Sequence, residues 1–444
     1  MAERKVISNF FDDVPLSKAH IRLIVIIAIA MVFEQADNYN FSFIAPVLRE
    51  YWGLSIQQIG FINSLFAMGM LVGTFVFGLV SDMIGRKKTL LVSAFIFSAG
   101  SLLNGLAPNP EIFTVMRVLT GVGISGVLIV APSYMMEMLP SKGRGRYFGI
   151  ATTVGFLGIP AIAFLCNIIL PMGGEHWRIV YALGSVGLLI VFFGAAWLKE
   201  SPRWLVQRGR IKEAEEVVEA IAGPEYKADL SKAVVKDNKI PVGVVFRELF
   251  AKKSLKTTIM LIVAYSLVIS AGLLFVNFAS TILVDRGFSM EEGLKLTSLL
   301  SIGMFFGPVV ASVIADWGGR KVPIAGCAVA LVGCVVMYSY ADSFTIMCVA
   351  AVVFSALSQT ALIILNAYAP EMYPTKIRNA AVGVVTAIGR IFNIVMMSVF
   401  PALYAGLGFS KAYMVLAAFY IIVAIAIGVF GKSTSGVNLE ELNK

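Results

Sequence analysis

Charged residues, and residues that commonly carry out chemistry, are scarce in this sequence. Asp, Glu, Lys and Arg make up 14% of the 444 residues, whereas about 25% of the residues in soluble domains are charged. Two histidines occur, His20 and His176, and the sequence contains neither a GxxxxGK[ST] motif nor a metal-ligand spacing. These absences argue against a soluble domain and against an enzyme that uses a metal or a nucleotide. We therefore expect no enzymatic activity and no cofactor.

Cysteine is scarce as well, with four residues in the chain. All four fall inside apolar stretches and lack the spacing of metal ligands. We interpret Cys166, Cys327, Cys334 and Cys348 as small packing residues.

Apolar residues, by contrast, make up 58% of the sequence, and the mean hydropathy is +0.84. They form blocks of about 20 to 28 residues, enough for a helix to cross roughly 30 Å of hydrocarbon. Barrel strands would instead be about ten residues long with strict alternation. We therefore predict an all-α membrane protein with twelve transmembrane helices. The predicted spans are 20–47, 58–80, 89–107, 112–138, 147–170, 178–198, 256–284, 292–315, 322–341, 345–369, 378–405 and 410–430.

Basic residues mark one side of the predicted membrane. They recur in alternate loops, whereas the loops APNPEI, PMGGEH and YADSF carry almost none. The positive-inside rule then places both termini and the long middle loop in the cytoplasm, and we expect a bacterial inner membrane. The net charge of +9 follows this topology, and without a basic stripe interleaved with aromatics we expect no nucleic-acid partner. The basic loops carry Arg86, Lys87 and Lys88; Lys142, Arg144 and Arg146; Arg320 and Lys321; and Lys376 and Arg378.

The two halves of the chain repeat each other. GLVSDMIGRKK, with Asp82, returns as SVIADWGGRK, with Asp316, and EMLPSKGR, with Glu137, returns as EMYPTKIR, with Glu371. Both motifs return after the same 234 residues (316 − 82 and 371 − 137). Because each half has six spans, the two copies keep the same orientation, which means parallel repeats about an axis along the membrane normal.

A hydrophilic segment that begins ESPRWLVQRGRIKEAEEVVEAIAG separates the two halves. We predict an N-terminal six-helix bundle over residues 1–198 and a cytoplasmic linker with short amphipathic helices over 199–254. A C-terminal six-helix bundle over 255–431 and a cytoplasmic tail over 432–444 follow.

Three motifs carry a resemblance to the major facilitator superfamily, specifically to its sugar-porter and aromatic-acid or metabolite:proton symporter branches. They are the run Gly78–Lys88, Arg117 with Gly121 and Gly123, and the ESPRWL run Glu200–Leu205. The resemblance implies the major facilitator fold and transport by alternating access of two bundles. It leads us to expect a monomer in the lipid bilayer.

Acidic and basic residues at the cytoplasmic ends are interpreted as latches. Asp82 can accept hydrogen bonds from the N-terminus of a neighbouring helix, and Gly85 permits a tight turn. Arg86 can pair with Glu137. The insertion rule asks only for Lys and Arg, so the repeated acids favour latches over the alternative that these loops only set topology. The latch residues are Asp82, Gly85, Arg86, Lys87, Glu137, Arg144, Glu200 and Arg203, and in the second half Asp316, Gly319, Arg320, Glu371 and Arg378.

Two carboxylates lie inside the first predicted span. Glu34 and Asp37 are three residues apart, hence on one helix face, where a charge at mid-membrane costs roughly 2.5 to 3.5 kcal/mol on insertion scales. Arg117, at a comparable depth in the fourth span, is the candidate partner of Asp37. Because Arg117 favours the carboxylate and burial favours the acid, the proton affinity of Asp37 can change with conformation and couple protons to transport. The alternative is a purely structural buried ion pair.

The family resemblance supports the coupling role. Asp37 falls at the start of a D-G-Y-D motif of the resembled symporters, and Arg117 falls at their fourth-helix arginine, a pair that the resemblance implies to serve proton coupling. This chain reads Asp37-Asn38-Tyr39-Asn40, so the second acid of the motif is an amide. Either Glu34 has taken over part of its role or the proton stoichiometry differs.

The second half lacks this pair, because the 234-residue shift places alanine at both positions. It instead has Arg390 in the middle of the eleventh span, with no acid in the neighbouring spans. We predict that Arg390 holds a substrate carboxylate in a forked arrangement, and the G-R-I run here resembles the organic-acid symporters. The alternatives are pairing with a helix C-terminus or with Glu34.

Polar side chains in facing spans are candidates to line the substrate site, although each could instead make a helix-packing hydrogen bond. They are Tyr39, Tyr265, Asn277, Gln359, Asn366 and Asn393. A sugar fits less well, because the seventh span YSLVISAGLLFVNF contains no glutamine, whereas the resembled sugar porters usually carry a pair there.

Together these features predict a proton-coupled symporter that imports a small organic anion, a carboxylate or an aromatic acid. Asp37 would carry the proton, Arg117 would tune it and Arg390 would hold the substrate. The alternatives are proton-coupled uptake of a sugar, polyol or organic cation, and proton-antiport efflux of a small molecule.

Overall fold

Long apolar helices dominate the computed structural model, which describes residues 5–12, 14–231, 242–315, 317–374 and 377–433. Within these residues, twelve helices are long and apolar enough to cross a membrane. The predicted twelve-helix class is therefore confirmed. The twelve spans are Lys18–Trp52, Ile56–Ile84, Arg86–Gly105, Pro110–Met138, Arg144–Met172, Trp177–Trp197, Leu255–Asp285, Met290–Ile314, Lys321–Tyr340, Phe344–Glu371, Arg378–Leu407 and Phe409–Phe430.

Two of the spans are interrupted, and short elements connect the halves. In the first half the helices are α1 (Lys18–Trp52), α2 (Ile56–Ile84), α3 (Arg86–Gly105), α4 (Pro110–Met138), α5 (Arg144–Phe156), α6 (Gly158–Ile169), α7 (Trp177–Gly184) and α8 (Leu188–Trp197). The linker helices are α9 (Pro202–Gln207), α10 (Ile211–Ala222) and α11 (Val242–Leu249). The second half contains α12 (Leu255–Asp285), α13 (Met290–Ile314), α14 (Lys321–Tyr340), α15 (Phe344–Glu371), α16 (Arg378–Leu407) and α17 (Phe409–Phe430).

Local sequence signals set several helix starts. Asn109 precedes α4, and its side chain accepts a hydrogen bond from the Ile112 N–H at 2.9 Å, while Pro110 occupies the first helical position, where no N–H donor is needed. At α13, Ser289 and Glu292 form a reciprocal capping box. These caps satisfy amide groups that would otherwise lose their partners at the membrane boundary.

Large apolar side chains remain exposed along the spans. Phe192 and Leu79 are each 69% exposed, which would be costly in water but is the expected arrangement against lipid. The buried residues instead include many serines, threonines and tyrosines. Helix contacts inside the protein thus combine polar with apolar side chains.

A short parallel strand pair lies outside the spans. Strand β1 (Lys5–Ile7) pairs with β2 (Tyr226–Ala228), with Lys5 opposite Tyr226 and Ile7 opposite Ala228. This pairing ties the N-terminal segment to the linker beyond α10.

The chain forms two compact units. The first comprises Met1–Asn38, Met68–Ala161 and Glu175–Asn238, and the second comprises Tyr39–Ala67, Ile162–Gly174 and Lys239–Lys444. The second unit therefore holds the second-half spans together with one end of the first, second and fifth spans. The four-segment division at residues 198, 254 and 431 remains a prediction.

Small residues allow close helix packing, and the packing repeats with the sequence. An added Cβ at Gly69 would lie 2.4 Å from the Val118 carbonyl oxygen, and one at Gly303 would lie 2.4 Å from the Val352 carbonyl oxygen. Gly303 and Val352 lie 234 residues after Gly69 and Val118, the spacing of the sequence repeat. The same close approach of neighbouring helices is thus built twice, as expected of small residues at membrane helix interfaces.

Gly123 offers a direct test of this packing. An added Cβ there would lie 2.5 Å from the Phe97 amide nitrogen, so Gly123→Val should force α3 and α4 apart at a cost of about 1 to 3 kcal/mol. We expect a lower unfolding temperature in detergent. Gly428→Val is the matched control, since an added Cβ at Gly428 meets nothing within 4 Å. Equal unfolding temperatures for the two variants would contradict this account.

Candidate functional site

Asp37 and Arg117 are both buried in the first unit and lie side by side. Their side chains are 3% and 1% exposed, and Arg117 Nη1 lies 3.9 Å from Asp37 Oδ2. The same nitrogen donates to the Asp37 backbone carbonyl at 3.4 Å. At 3.9 Å these two atoms are farther apart than a hydrogen bond requires, and their charges attract. The structure therefore places the two predicted coupling residues next to each other, in a loose ion pair.

A third helix supplies the close contact to the carboxylate. Ser101 of α3 donates its hydroxyl to Asp37 Oδ1 at 2.9 Å. The same hydroxyl lies 3.1 Å from the Tyr181 carbonyl of α7. The Tyr181 ring also lies below Arg117, 6.0 Å from its guanidinium carbon. The carboxylate is thus surrounded by α3, α4 and α7.

Glu34 lies one helical turn before Asp37 on α1 and is only 1% exposed. Both acids therefore sit inside the first unit, and neither carboxylate faces lipid. Such burial is expected of an ionisable side chain in a membrane span, because exposing it to lipid is costly.

Arg390 and its predicted neighbours belong to the second unit. Arg390 is half-buried on α16, and the preceding residue, Gly389, packs directly against Tyr265 of α12, where an added Cβ would lie 3.2 Å from the tyrosine Cβ. The Tyr265 hydroxyl donates to Asn366 Oδ1 of α15 at 2.9 Å. The structure thus gathers three of the predicted substrate residues on adjacent helices.

The remaining predicted substrate residues are distributed more widely in the second unit. Asn277 of α12 accepts a hydrogen bond from Ser42 of α1 at 2.7 Å, so one of its polar groups serves helix packing. Asn393 is buried one turn after Arg390, and Tyr39 is also buried. Gln359 packs against Gly307.

Arg86 lies at the basic end of the first unit, where the Lys- and Arg-rich loops are found. Its side chain contacts three hydrogen-bond acceptors. Its Nε atom lies 3.2 Å from Glu137 Oε1, and its Nη1 atom donates to Asp82 Oδ1 and to the Ser81 carbonyl, both at 2.8 Å. Arg86 is thereby fixed against α2 and α4. The predicted Arg86–Glu137 pair is present as a contact.

Glu200, rather than Asp82, accepts the hydrogen bonds at the start of α3. Glu200 Oε1 accepts from the backbone N–H of Arg86 at 2.8 Å and of Lys87 at 3.1 Å, as favoured for an acid at a helix N-terminus. Gly85 has φ +102°, and an added Cβ would lie 2.3 Å from Glu200 Oε2. The Asp82 carboxylate instead accepts a hydrogen bond from the Arg86 side chain.

Asp12, which the sequence did not single out, binds the two other predicted arginines of this end. Arg144 Nη2 lies 2.6 Å from Asp12 Oδ1, and Arg203 Nη2 lies 3.3 Å from Asp12 Oδ2. The Ser141 hydroxyl donates to the Asp12 carbonyl at 2.7 Å. No local pattern could reveal this partner, because it lies more than 120 residues away from each arginine in the chain.

The basic end of the second unit repeats these contacts. Arg320 Nε donates to Glu371 Oε1 at 2.6 Å, as Arg86 does to Glu137. Arg378 Nε lies 3.4 Å from the Tyr373 carbonyl, as Arg144 Nε donates to Leu139 O at 3.0 Å. Gly319 has φ +84°, whereas Asp316 lies outside the described residues.

The far end of the second unit, opposite its basic loops, is held together by polar contacts whose residues are not among the predicted site residues. Arg49 of α1 pairs with Asp285 of α12 at 2.5 Å, and the Tyr404 hydroxyl of α16 donates to the same carboxylate at 2.7 Å. Nearby, Ser64 of α2 donates to the Ile394 carbonyl at 2.5 Å. We call the trio Arg49, Asp285 and Tyr404 the far-end clamp. A hint existed in the opposite charges at the ends of the first and seventh spans.

Twelve helices long enough to cross a membrane, with ionisable side chains buried among them, define a helical membrane protein with a charged interior. The chain belongs to the sugar (and other) transporter family, whose model matches residues 24–444. This confirms the resemblance to the major facilitator superfamily and to its sugar-porter and metabolite branches.

Characterised relatives extend over nearly the whole chain. The niacin transporter NiaP of Acinetobacter baylyi is 27% identical, covering 97% of this chain and 98% of its own. The gallate transporter of Pseudomonas putida is 30% identical, covering 86% of this chain and 85% of its own. Among solved structures, the inward-open xylose transporter XylE of E. coli superposes with a TM-score of 0.76 at 19% identity, over 95% of this chain and 99% of its own.

The far-end clamp can be tested by charge exchange. Arg49→Asp places like charges together and should loosen this end, whereas adding Asp285→Arg restores an opposite pair. We expect a cysteine introduced at Ser42 to react faster with a thiol reagent in the single variant and at the original rate in the double variant. The four native cysteines are buried, which keeps the background low. Equal labelling rates in all three proteins would show that the clamp does not hold this end closed.

Proposed function

We propose that this transporter is a proton-coupled symporter that imports a small organic anion, an aromatic carboxylate, by alternating access. The observation that carries the proposal is the buried contact of Asp37 with Arg117, at 3.9 Å and with both side chains at most 3% exposed. A carboxylate in such surroundings is subject to two opposing effects, because the arginine favours the charged form and burial opposes it. A change of surroundings during transport then changes its proton affinity.

Arg390 is the proposed anion-binding residue. A planar guanidinium can hold a carboxylate with two parallel hydrogen bonds. The preceding residue, Gly389, packs against Tyr265, which donates to Asn366, so the three predicted residues Arg390, Tyr265 and Asn366 lie on adjacent helices. Two relatives are named for niacin and gallate, both of which are aromatic rings with a carboxylate. This shared chemistry supports an aromatic acid over a sugar, a polyol or an organic cation.

The polar contacts at the two ends fit the requirements of alternating access. Arg86 with Glu137 and Arg320 with Glu371 would act as latches at the basic ends. The far-end clamp would open when a substrate is taken up. We place the basic loops and both termini in the cytoplasm of a bacterial inner membrane, by the positive-inside rule, and propose that the protein works as a monomer.

Uptake and efflux use the same charges and differ in the direction of flux. Purified protein in liposomes with an imposed pH gradient separates them: a symporter accumulates nicotinate, benzoate or gallate on the alkaline side. An antiporter accumulates its substrate on the acidic side.

Asp37→Asn should abolish accumulation driven by the pH gradient, because the amide cannot take up a proton. Exchange of labelled for unlabelled nicotinate across the liposome membrane should remain measurable, since exchange requires no net proton movement. Asp342→Asn is the matched control, as it makes the same chemical change in an exposed loop. Full accumulation by the Asp37 variant would remove this residue from coupling.

Arg390→Ala should weaken binding of nicotinate by at least about 30-fold, the factor that corresponds to about 2 kcal/mol for a lost buried charge pair. Nicotinamide, which has the same ring without the charge, should bind the variant and the parent protein alike. Arg390→Lys should fall in between, because it keeps the charge and loses the fork. Binding can be followed by isothermal titration calorimetry, and equal losses for both ligands would identify a structural arginine.

A further inference from the structure

The Ser101 hydroxyl lies between two acceptors and has one hydrogen to give. Asp37 Oδ1 is 2.9 Å away and the Tyr181 carbonyl is 3.1 Å away. Ser101 is fully buried. Its hydrogen can therefore point fully at only one of the two oxygens at a time.

The Tyr181 carbonyl can receive this hydrogen because the sixth span tightens there. In a regular α-helix the Ser185 N–H would bond to Tyr181, four residues earlier. Here α7 ends at Gly184 and passes into a 3₁₀ turn over Ser185–Gly187, and the Ser185 N–H donates to Ala182 and Leu183. A 3₁₀ segment inside a membrane span often marks a hinge.

Small residues hold Ser101 in this place. An added Cβ at Gly184 would lie 2.2 Å from Ser101 Oγ and 3.8 Å from Asp37 Oδ1. One turn along the same two helices, an added Cβ at Gly187 would lie 2.4 Å from Ser98 Oγ. Glycine on α7 and its 3₁₀ turn is thus what lets α3 bring a hydroxyl to the carboxylate.

We propose that Ser101 is a positioning residue for proton coupling, which changes its hydrogen-bond acceptor with the protonation state of Asp37. When Asp37 is ionised, the Ser101 O–H donates to Asp37 Oδ1. When Asp37 is protonated, its own O–H donates to Ser101 Oγ, and the Ser101 O–H donates to the Tyr181 carbonyl. The Ser101 hydroxyl and Asp37 Oδ1 are hydrogen-bonded to each other in both states. The direction of that bond reverses on protonation, and the bond from Ser101 to the Tyr181 carbonyl is gained.

This inference rests on the proposed coupling role of Asp37 and extends it to the sixth span. Protonation of Asp37 adds a hydrogen bond to the carbonyl just before the 3₁₀ turn, and loss of the proton removes it. The titratable and charged groups near the carboxylate are Glu34 on its own helix, Arg117 on α4 and the Tyr181 side chain on α7. Arg117 provides the charge, whereas Ser101 provides the close directional contact.

The carboxylic acid C=O stretch in infrared difference spectra reports Asp37 directly, without any substrate. Spectra of the purified full chain are recorded across a pH series, and the Asp37 band is identified as the one that Asp37→Asn removes. Ser101→Ala removes a donor that favours the ionised form. We expect the titration midpoint of this band to rise by about one pH unit, a tenfold gain in proton affinity, and the band to move to higher wavenumber.

Two further variants make the result specific. Ser101→Cys keeps a weak donor of similar size and should give a smaller change of the titration midpoint in the same direction. If the alanine variant does not fold, the cysteine variant provides the test. Ser98→Ala removes a hydroxyl on the same face of α3, for which the described residues provide no hydrogen-bond partner. It should leave the band unchanged.

The possible outcomes distinguish the Ser101 change of acceptor, here called the switch, from the proposed function on which it rests. An Asp37 band that is identical in the parent protein and in Ser101→Ala would overturn the switch and leave the coupling role of Asp37 intact. A shift of equal size in Ser98→Ala would also overturn it. If Asp37→Asn removes no band, Asp37 does not titrate, and the coupling role and the switch both fail.

Discussion

The burial of a carboxylate among membrane-spanning helices is the constraint on which the rest of this structure depends. Asp37 is almost entirely enclosed, and its surroundings include the Arg117 guanidinium at 3.9 Å and the Ser101 hydroxyl in close contact. The cation favours the ionised form, and the hydroxyl gives the buried carboxylate a hydrogen bond that it would otherwise lose with its water. Both reach Asp37 only because glycines such as Gly123 and Gly184 let the backbones of neighbouring helices come close. The polar contacts of Asp37 therefore depend on the close packing of the helices.

The internal repeat separates the structural from the functional parts of the molecule. Contacts that fix helix ends occur twice, as in Arg86 with Glu137 and Arg320 with Glu371. The buried acid and its arginine occur once, since the second half has alanine at both positions. Helix-end contacts are useful in both copies, whereas one titratable site is enough for the proposed proton coupling. Under that proposal, the asymmetry of charge inside the membrane gives the two halves different tasks.

Much of this was predictable from the sequence, because insertion into lipid is costly for polar groups and leaves a strong signal. The twelve spans and the adjacency of Asp37 to Arg117 followed from that cost. The predicted first span ends at residue 47, five residues before the helix ends at Trp52. Arg49 and Glu50 interrupt the apolar run there, although the helix continues. Ser101 and Asp12 were missed for a different reason. Their partners are set by tertiary packing, and a serine in an apolar helix carries no signal of what it touches.

The pairing of strand β1 with β2 has a consequence for biosynthesis. Parallel strands need a long connection, and here that connection is the whole first bundle, between Ile7 and Tyr226. The Asp12 contact with Arg203 spans nearly the same stretch. A nascent chain cannot form either contact until the linker has left the ribosome, after all six helices of the first half have been made. Chain order thus makes this closure one of the last tertiary contacts that can form within that half.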